Sequence, residues 1–574
     1  MSLFDQVKRA NACAPLRRTL AALLLAAVGL LEVACGDVYR PVANPIVGPN
    51  PNPAPVHFVF ALSANGNDVL SAGTCQPSGT PPPCVGAPGS ISRIDVSGDS
   101  VGGVVSTGIF PTFAAMTPNN TQYYVVGSDG TVSTGIATSN AQAITINLPQ
   151  LCDTSGCAPS APVFVHSTEN GRMYIADSGD GTVSVVDSST NVVIQTVAVD
   201  PAFTGSPIPA PDRNSHPVAL AELPNGSKIY AADSGTNRVT SINTSDGSIA
   251  AVIPVTTGSP IWIVASADNI HLYVLDTSGT ISVISSLSDT VTTHSASAGA
   301  GAHFMHYEAV SNLLYVTNPA ASSLSIFDAS QDPPALRAGS SVPILPVAGS
   351  ACTSAVKPTS VTVLGDETRA YVAAYQADPS GLVCTQASVV SPATNSVTKT
   401  IALSQSGSAP QSQCSSVPFR VFTVSSPGSN AGLAKVYVSQ CDAGAVAVID
   451  TFADNTSPDP HGADVVMAQV PAPVSAFSGS QISISGVAAT PATSTAPATA
   501  TYSYSLLSGA PLQPDTVANI AGMADAANNG TFFITSATSS TFTVLSPAGV
   551  SAASQTGTGS AVPAQNPVFL ITGQ

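Results

Sequence analysis

Short stretches in which apolar and small polar residues alternate recur along most of the chain, and turn-forming residues separate them. Four related examples are MYIADSGDGTVSVVD (173–187), IYAADSGTNRVTSIN (229–243), LYVLDTSGTISVIS (272–285) and LYVTNPAASSLSIFD (314–328). Each begins with an apolar residue and Tyr, crosses a turn rich in Gly, Ser or Asn, and then alternates again. A period of two residues between turns predicts short antiparallel strands.

The recurring tyrosine sets the register of these units. An Asp or Asn lies 13 residues after the tyrosine in four of them, at Tyr174, Tyr230, Tyr315 and Tyr437. We count eight units between residue 57 and about residue 470. With insertions set aside, the core period of about 42 residues is that of a four-stranded propeller blade. The tyrosines themselves are interpreted as packing residues between blades rather than as a binding site.

The predicted fold is therefore all-β, a β-propeller of seven or eight four-stranded blades. One unit shows the four strands most plainly, at 216–223, 228–233, 238–243 and 248–255. A ring of blades buries the faces that one blade alone leaves exposed. The first unit lacks its opening strand. We expect PVSAFSG (473–479), from beyond the eighth unit, to complete the first blade and close the ring.

The last part of the chain breaks this pattern. We place the propeller at 57–479 and a small β domain at 480–574, with an Ala-, Ser- and Thr-rich linker within 480–500. Asn528-Asn529-Gly530 is a hairpin signal between apolar stretches. The segments ThrPhePheIle and ThrPheThrVal that follow alternate like paired strands.

Charge excludes one class of partner. The 574 residues include 33 Asp and Glu against 16 Lys and Arg, a formal charge of −17. A nucleic-acid-binding surface needs clustered cations, which this chain lacks. An acidic chain is also not attracted to anionic lipid by charge.

The first residues predict export. Lys8, Arg9, Arg17 and Arg18 precede an apolar run at 19–31, which is too short to span a bilayer and is typical of a secretory signal at 1–34. The following Ala34-Cys35 resembles a bacterial lipobox, which implies lipidation of Cys35. Ordinary cleavage nearby, leaving a free thiol, is the alternative. Six prolines in 35–56 then predict an extended tether on an outer-membrane, periplasmic or surface protein.

The cysteines agree with an oxidising compartment. Without Cys13 and Cys35, an even number remains, which in an exported chain indicates disulfides. Zinc is the weaker alternative, because the sequence contains no CxxC and no His at ligand spacing beside a cysteine pair. Proximity in sequence favours four pairs, Cys75–Cys84, Cys152–Cys157, Cys352–Cys384 and Cys414–Cys441.

A family resemblance rests on the unit at 314–328. Tyr315-Val316-Thr317-Asn318 is the YVTN signature, followed by the strand SLSIFD. Over about 400 residues the chain resembles the YVTN-type β-propeller repeat family, which is related to lactonase-like propellers. The resemblance implies the propeller fold, usually with seven blades, and export or surface association. It implies little about function, because the signature residues are strand and turn residues.

The sequence contains few candidate catalytic or metal-binding residues. His303, His306 and Glu308 form the densest group, but residues three apart in a strand point to opposite faces. No metal site is therefore predicted there. Asp177-Ser-Gly-Asp180-Gly resembles a calcium loop but lacks its alternate ligands and final Glu. No nucleotide or metalloprotease motif occurs in a suitable setting, the chain has a single Trp, and no cofactor is expected.

Two functional hypotheses follow. The first is a monomeric, non-enzymatic binding module on the bacterial cell envelope, with a protein, peptide or glycan partner, no nucleic acid, and a membrane link only through the lipid anchor. The second is a lactonase-like or other hydrolase that uses the central channel of the propeller. Its catalytic candidates lie on or just before opening strands, namely Arg213, His216, His303, Glu308 and Arg420.

Overall fold

We describe a computed structural model of the chain. It describes residues 58–573 except 65–87, 140, 142, 169, 204, 206, 340, 407–413, 416, 427–433, 455–460, 472–479, 492–497, 509–511, 513–515, 546–550, 553 and 564–565. The signal segment, Cys35, the tether and the Cys75–Cys84 pair therefore lie outside the described residues.

Eight antiparallel sheets follow one another along the described chain, and we number them as blades in that order. Blade 1 contains β1 (Phe58–Ser63), β2 (Pro88–Asp95) and β3 (Ser100–Ile109), and blade 2 contains β4 (Pro111–Met116), β5 (Gln122–Gly127), β6 (Thr131–Ile136) and β7 (Ile144–Asn147). A hairpin of β8 (Leu151–Asp153) and β9 (Gly156–Ala158) precedes blade 3, which contains β10 (Pro162–Ser167), β11 (Arg172–Asp177), β12 (Thr182–Asp187) and β13 (Val192–Ala198). After a short 3-10 turn (Pro201–Phe203), blade 4 contains β14 (Pro217–Glu222), β15 (Lys228–Asp233), β16 (Arg238–Asn243) and β17 (Ile249–Pro254).

The second half continues the series. Blade 5 contains β18 (Pro260–Ala265), β19 (His271–Asp276), β20 (Ile281–Ser285) and β21 (Thr290–His294). Blade 6 contains β22 (Phe304–Glu308), β23 (Leu313–Asn318), β24 (Ser323–Asp328), β25 (Ala335–Leu336), a 3-10 turn (Arg337–Gly339) and β26 (Val342–Pro343). Blade 7 contains β27 (Lys357–Val363), β28 (Ala370–Ala377), β29 (Val383–Ser391) and β30 (Ser396–Ser406), and blade 8 contains β31 (Val421–Ser425), β32 (Lys435–Gln440), β33 (Ala445–Asp450) and β34 (Val465–Pro471).

The first strands of successive blades contact one another and form a closed ring. The closing element comes from the end of the chain, because β41 (Pro567–Gly573) pairs with β1 and also contacts β31 and β4. The fold is thus a β-propeller, and blade 1 is completed by a late strand. The expectation that residues 473–479 supply this strand was wrong, because β41 pairs with β1. Residues 473–479 themselves lie outside the described residues. The PVFLITG segment closes the ring because it has the apolar pattern of the other first strands.

The recurring tyrosines pack between blades, as predicted from the sequence, and several of them hydrogen-bond to the next blade. Each is almost completely buried on the second strand of its blade. The Tyr230 hydroxyl donates to Asp289 Oδ1 at 2.6 Å, and Asp289 also accepts from Lys228 at 2.6 Å. Asp289 lies in the turn between the third and fourth strands of the next blade, with φ at 50°. We call this interaction the tyrosine clasp; it recurs as Tyr124–Asn191, Tyr371–Asp464 and Tyr437–Asp99.

A closed barrel of six strands stands between blade 8 and β41 in the chain. Its strands are β35 (Ser480–Thr490), β36 (Thr499–Ser508), β37 (Thr516–Ala521), β38 (Gly530–Ala537), β39 (Thr541–Leu545) and β40 (Gly557–Pro563). The prediction of a linker within 480–500 was wrong for the described residues, because β35 and the start of β36 lie there. Alternating Ile side chains of β35 and Tyr side chains of β36 face the barrel core. The small domain also ends earlier than expected, since β41 belongs to the ring.

The predicted hairpins of the barrel exist with a different turn. Strands β38 and β39 pair antiparallel, with Ile534 opposite Val544. Strands β37 and β38 also pair, but a 3-10 turn (Ala526–Asn528) forms part of their connection. The Asn529 amide donates to Met523 O at 2.9 Å, so this residue anchors a longer loop instead of the tight two-residue turn.

Disulfides join Cys152–Cys157, Cys352–Cys384 and Cys414–Cys441. The first holds the β8–β9 hairpin, the second joins blade 7 to the segment before it, and the third joins blade 8 to the segment before it. Within the described part of the chain, no helix has the length and hydropathy needed to cross a bilayer.

Candidate binding cleft

Aromatic side chains from six blades meet at the axis of the ring. We call this group the aromatic plug; it contains Phe113, Phe164, Trp262, Phe304, Phe422 and Phe569 from first strands, with Phe419 from the segment before β31. Phe113 and Phe569 have ring centroids 4.3 Å apart. Phe113 of blade 2 also lies 6.3 Å from Trp262 of blade 5, so the contacts cross the axis.

A shared sequence position creates the plug. Four first strands read Pro, any residue, then an aromatic residue, beginning at Pro111, Pro162, Pro260 and Pro567. In the first three, the pairing register shifts between the proline and the aromatic residue, as at a β-bulge, which can redirect a side chain. Blades 4 and 7 carry Ala219 and Ser360 at this position. These four aromatic residues were not predicted from the sequence, although each follows a proline at the same spacing.

The plug removes the setting that the hydrolase hypothesis needed. That hypothesis placed catalytic residues around an open central channel. In the described residues, aromatic side chains instead pack together at the axis; Phe419 and Phe569 are buried, and Phe113 and Trp262 are partly buried.

The catalytic candidates also do not all converge on one site. His216, His303 and Arg420 each directly precede a first strand, so they lie at one end of the ring. Glu308 ends β22 and lies at the opposite end. We call the first end the cleft end and the second the clasp end, because the tyrosine clasps lie there.

Two of these candidates line the same cleft. It has a volume of about 370 Å³ and lies at the cleft end, bounded by blades 6 to 8. Its lining consists of Gly301, His303, Pro319, Ala320, Lys357, Thr359, Tyr375, Cys414, Ser415, Val417, Pro418 and Arg420. The segment that carries residues 417–420 leads into β31, and the Cys414–Cys441 disulfide ties it to blade 8.

Arg420 is held rigidly in the wall of this cleft. Its Nε and Nη2 donate to the two carboxylate oxygens of Asp442 at 2.6 and 2.7 Å, and both side chains are less than a tenth exposed. A bidentate pair of this kind fixes the guanidinium plane. The guanidinium carbon also lies 5.0 Å from the ring centroid of Tyr375. Arg420 therefore acts as a structural residue whose charge is already compensated.

His303 joins blade 6 to the same segment. Its Nε2 lies 2.8 Å from Pro418 O, an atom that can only accept, so Nε2 carries the proton. Burial lowers the pKa of His303, although its hydrogen bond to Pro418 O opposes this shift. The imidazole is therefore neutral near pH 7, and its ring packs edge-on against Phe419 at 5.2 Å.

The remaining candidates lie elsewhere. His216 Nδ1 is 2.7 Å from Ser178 O and connects blade 4 to blade 3. Arg213 Nη2 donates to Gly156 O at 2.9 Å and so binds the β8–β9 hairpin. Glu308 Oε2 lies 3.9 Å from His306 Nε2, and the interaction with this imidazole lowers the pKa of the Glu308 carboxyl. Each of these side chains makes a structural contact within or between blades.

The Asp177 and Asp180 side chains accept hydrogen bonds at the turn between β11 and β12. Asp177 accepts from Ser184 Oγ at 2.5 Å, and Asp180 accepts from Thr182 Oγ1 at 2.8 Å. Burial raises the pKa of Asp180 to about 7. Burial, and then the charge of Asp180, raise the pKa of Asp177 well above its usual range. Among the described residues, no group of three or more His, Cys, Asp or Glu side chains is arranged to hold a metal ion.

Comparisons with solved structures give likenesses at low sequence identity, of which three are described. No protein-family model and no curated protein matches the chain. Among solved structures, Kuenenia stuttgartiensis hydrazine synthase matches 59% of this chain and 95% of its own, with 14% identity and a TM-score of 0.41. The Cps50 (Swd1) β-propeller domain of Myceliophteria thermophila matches 59% and 96%, with 11% identity and a TM-score of 0.42. A functionally unknown protein of Desulfotomaculum acetoxidans matches 60% and 95%, with 11% identity and a TM-score of 0.40.

Proposed function

We propose that this chain is an exported, lipid-anchored propeller of the YVTN type that acts as a binding module on the bacterial cell envelope. Its partner, a protein, peptide or glycan, contacts the cleft lined by His303, Lys357 and Arg420. The monomeric body is held near the membrane through Cys35 and the Pro-rich segment 35–56.

The aromatic plug is the observation that carries this proposal. Because side chains close the axis, a ligand must be met at the surface of the ring. The cleft at the cleft end is concave, and its volume is suited to a small molecule or a terminal group. The candidates His216 and Glu308 lie away from it, so no described arrangement of side chains favours the hydrolase.

Disulfides support the exported location. Three cysteine pairs are joined in the described chain, and such bonds persist mainly in oxidising compartments. The anchor is tested by Cys35→Ser in the full chain. We expect the wild-type protein in the membrane fraction and the variant in the soluble periplasmic or secreted fraction. A variant that stays membrane-bound would refute the anchor while leaving the binding proposal open.

The cleft is tested by site-specific photocrosslinking. Benzoylphenylalanine is placed at position 320, on the cleft wall, and at position 310, an exposed site at the clasp end of the same blade. Irradiated cell envelopes are expected to give a defined adduct from position 320 and none from position 310. Equal adducts at both positions, or none at 320, would contradict the proposed site.

A further inference from the structure

The cleft contains a cation without an acidic partner. Among the described lysines, Lys228 and Lys435 form ion pairs with Asp289 and Asp99, and Lys399 donates to a backbone carbonyl. Neither Lys399 nor Lys357 has a carboxylate of the described residues within 4.0 Å of its ammonium group, but of these two lysines only Lys357 lines the cleft. It is also solvent-exposed at the start of β27. In a chain with a formal charge of −17, such a cation at a concave site indicates that the site favours an anionic ligand.

The surroundings of Lys357 set the net charge of the cleft. None of its lining residues is acidic, and Arg420 is compensated by Asp442. His303 is neutral near pH 7. Burial raises the pKa of the Tyr375 hydroxyl, although the charge of Arg420 opposes this shift, so the hydroxyl stays protonated. The cleft therefore carries one uncompensated positive charge, that of Lys357.

Tyr375 also positions this charge. The Lys357 Nζ lies 5.9 Å from the centroid of the Tyr375 ring, and Arg420 lies 5.0 Å from the same centroid. A cation over an aromatic ring is attracted by the quadrupole of the ring. Both cations thus share one aromatic wall, while Pro319, Ala320 and Val417 supply a largely apolar wall.

We propose that this cleft binds a ligand with one carboxylate group, whose charge is compensated by Lys357. This inference rests on the proposed binding function and specifies the chemistry of its ligand. A single free ammonium group matches a monoanion. A phosphate group usually requires several cationic or backbone N–H donors, whereas the cleft lining has one uncompensated cation. The carboxylate belongs either to an acidic sugar or to a peptide C-terminus.

Calorimetric titration of the mature protein tests the charge requirement and separates the two sources. The probes are D-glucuronate with D-glucose as its uncharged control, and N-acetyl-Ala-Ala with its C-terminal amide as control. We expect at least one acid to bind roughly tenfold or more tightly than its uncharged control, a difference of about 1.4 kcal/mol. Binding should weaken as ionic strength rises. The acid that binds identifies the source of the carboxylate.

Matched lysine variants test the position of the site. Lys357→Met is expected to lose about tenfold or more in affinity for the acid, and Lys357→Arg to retain most of it. Lys399→Met, which removes a surface ammonium group from β30, should bind like wild type. Failure of both acids to bind, equal binding of the uncharged controls, or an unchanged Lys357→Met variant would overturn the proposal. Photocrosslinking at position 320 would survive that failure if the binding function itself is right.

Discussion

The two ends of the propeller ring use side chains in different ways. At the clasp end, a buried tyrosine of one blade donates to a turn of the next at four of the described blade junctions. At the cleft end, blades 6 to 8 differ from the others, and the segment before β31 reaches His303 two blades away. The comparison indicates that the repeated contacts maintain the ring, whereas the irregular end carries the proposed binding surface.

The largest expected effect on stability comes from deleting the strand that closes the ring, on which both ends depend. Deleting residues 567–574 removes β41, whose Val568, Phe569 and Leu570 are each at most 4% exposed. Burial of three such side chains stabilises the fold by about 5–9 kcal/mol, which is comparable to the whole stability of a typical domain. We expect circular dichroism to show loss of the cooperative thermal transition.

The matched control for this deletion removes the barrel and keeps β41. A short Gly- and Ser-rich linker replaces residues 472–563; elsewhere in the ring, five residues suffice to join Pro254 of β17 to Pro260 of β18. This variant should keep a cooperative transition. If removing β41 left the transition unchanged, the ring would not depend on the late strand.

The aromatic plug gives the next effect. Phe422→Ala removes a ring that is 6% exposed and that lies 4.1 Å from Phe569 between centroids. Truncating a buried Phe typically lowers the free energy of unfolding by about 3–5 kcal/mol. Phe452→Ala, at a site that is 50% exposed, is the control and should leave denaturant unfolding nearly unchanged. Equal stability of the two variants would mean that the plug does not stabilise the ring.

A pair of tyrosine variants sharpens the account of the clasp end. Tyr230→Phe deletes the donor to Asp289 and should lower the free energy of unfolding by about 1.5–3 kcal/mol, the range for hydrogen bonds to charged groups. Within the described chain, the buried Tyr315 hydroxyl has no hydrogen-bond partner. Tyr315→Phe should therefore be neutral or stabilising. A loss of the same size in both variants would assign the effect to packing alone.

Per pH unit, the smallest expected effect is a pH dependence at the turn between β11 and β12. In the folded protein the pKa of Asp180 is raised to about 7, against 3.8 in a free chain. The folded state therefore keeps a proton that the unfolded chain releases, and this stabilisation is complete below about pH 4 and lost as pH rises through about 7. Asp180→Asn should reduce the decline in stability between pH 4 and 7, at most about 1.4 kcal/mol per pH unit. An identical pH profile in both proteins would show that Asp180 is ionised in the fold.

The repeated part of the molecule was accessible from the sequence. The strands predicted for one unit at 216–223, 228–233, 238–243 and 248–255 agree with β14 to β17 within one or two residues. This success has a physical cause, because every blade must bury the same faces against its neighbours. The same alternation and the same buried tyrosine therefore recur.

The unrepeated features were harder to predict. The ring is closed by β41, about 90 residues beyond the expected segment, because a closing strand is specified by the gap that it fills and not by its place in the sequence. The Ala-, Ser- and Thr-rich stretch within 480–500 was predicted to be a linker rather than part of the barrel. Composition misled here, because Ala, Ser and Thr also fit a small barrel interior. The cleft depends on a hydrogen bond between His303 and Pro418, 115 residues apart, which no periodicity reveals.

The central claim is that packed aromatic side chains close the axis and leave the cleft end as the binding surface. The single tryptophan, Trp262, is partly buried within the plug, so its fluorescence reports on the axis. We predict blue-shifted emission in the folded protein and quenching by iodide several-fold weaker than in the chain unfolded in guanidinium. Quenching as strong as in the unfolded chain would show an axis open to solvent and would contradict the account.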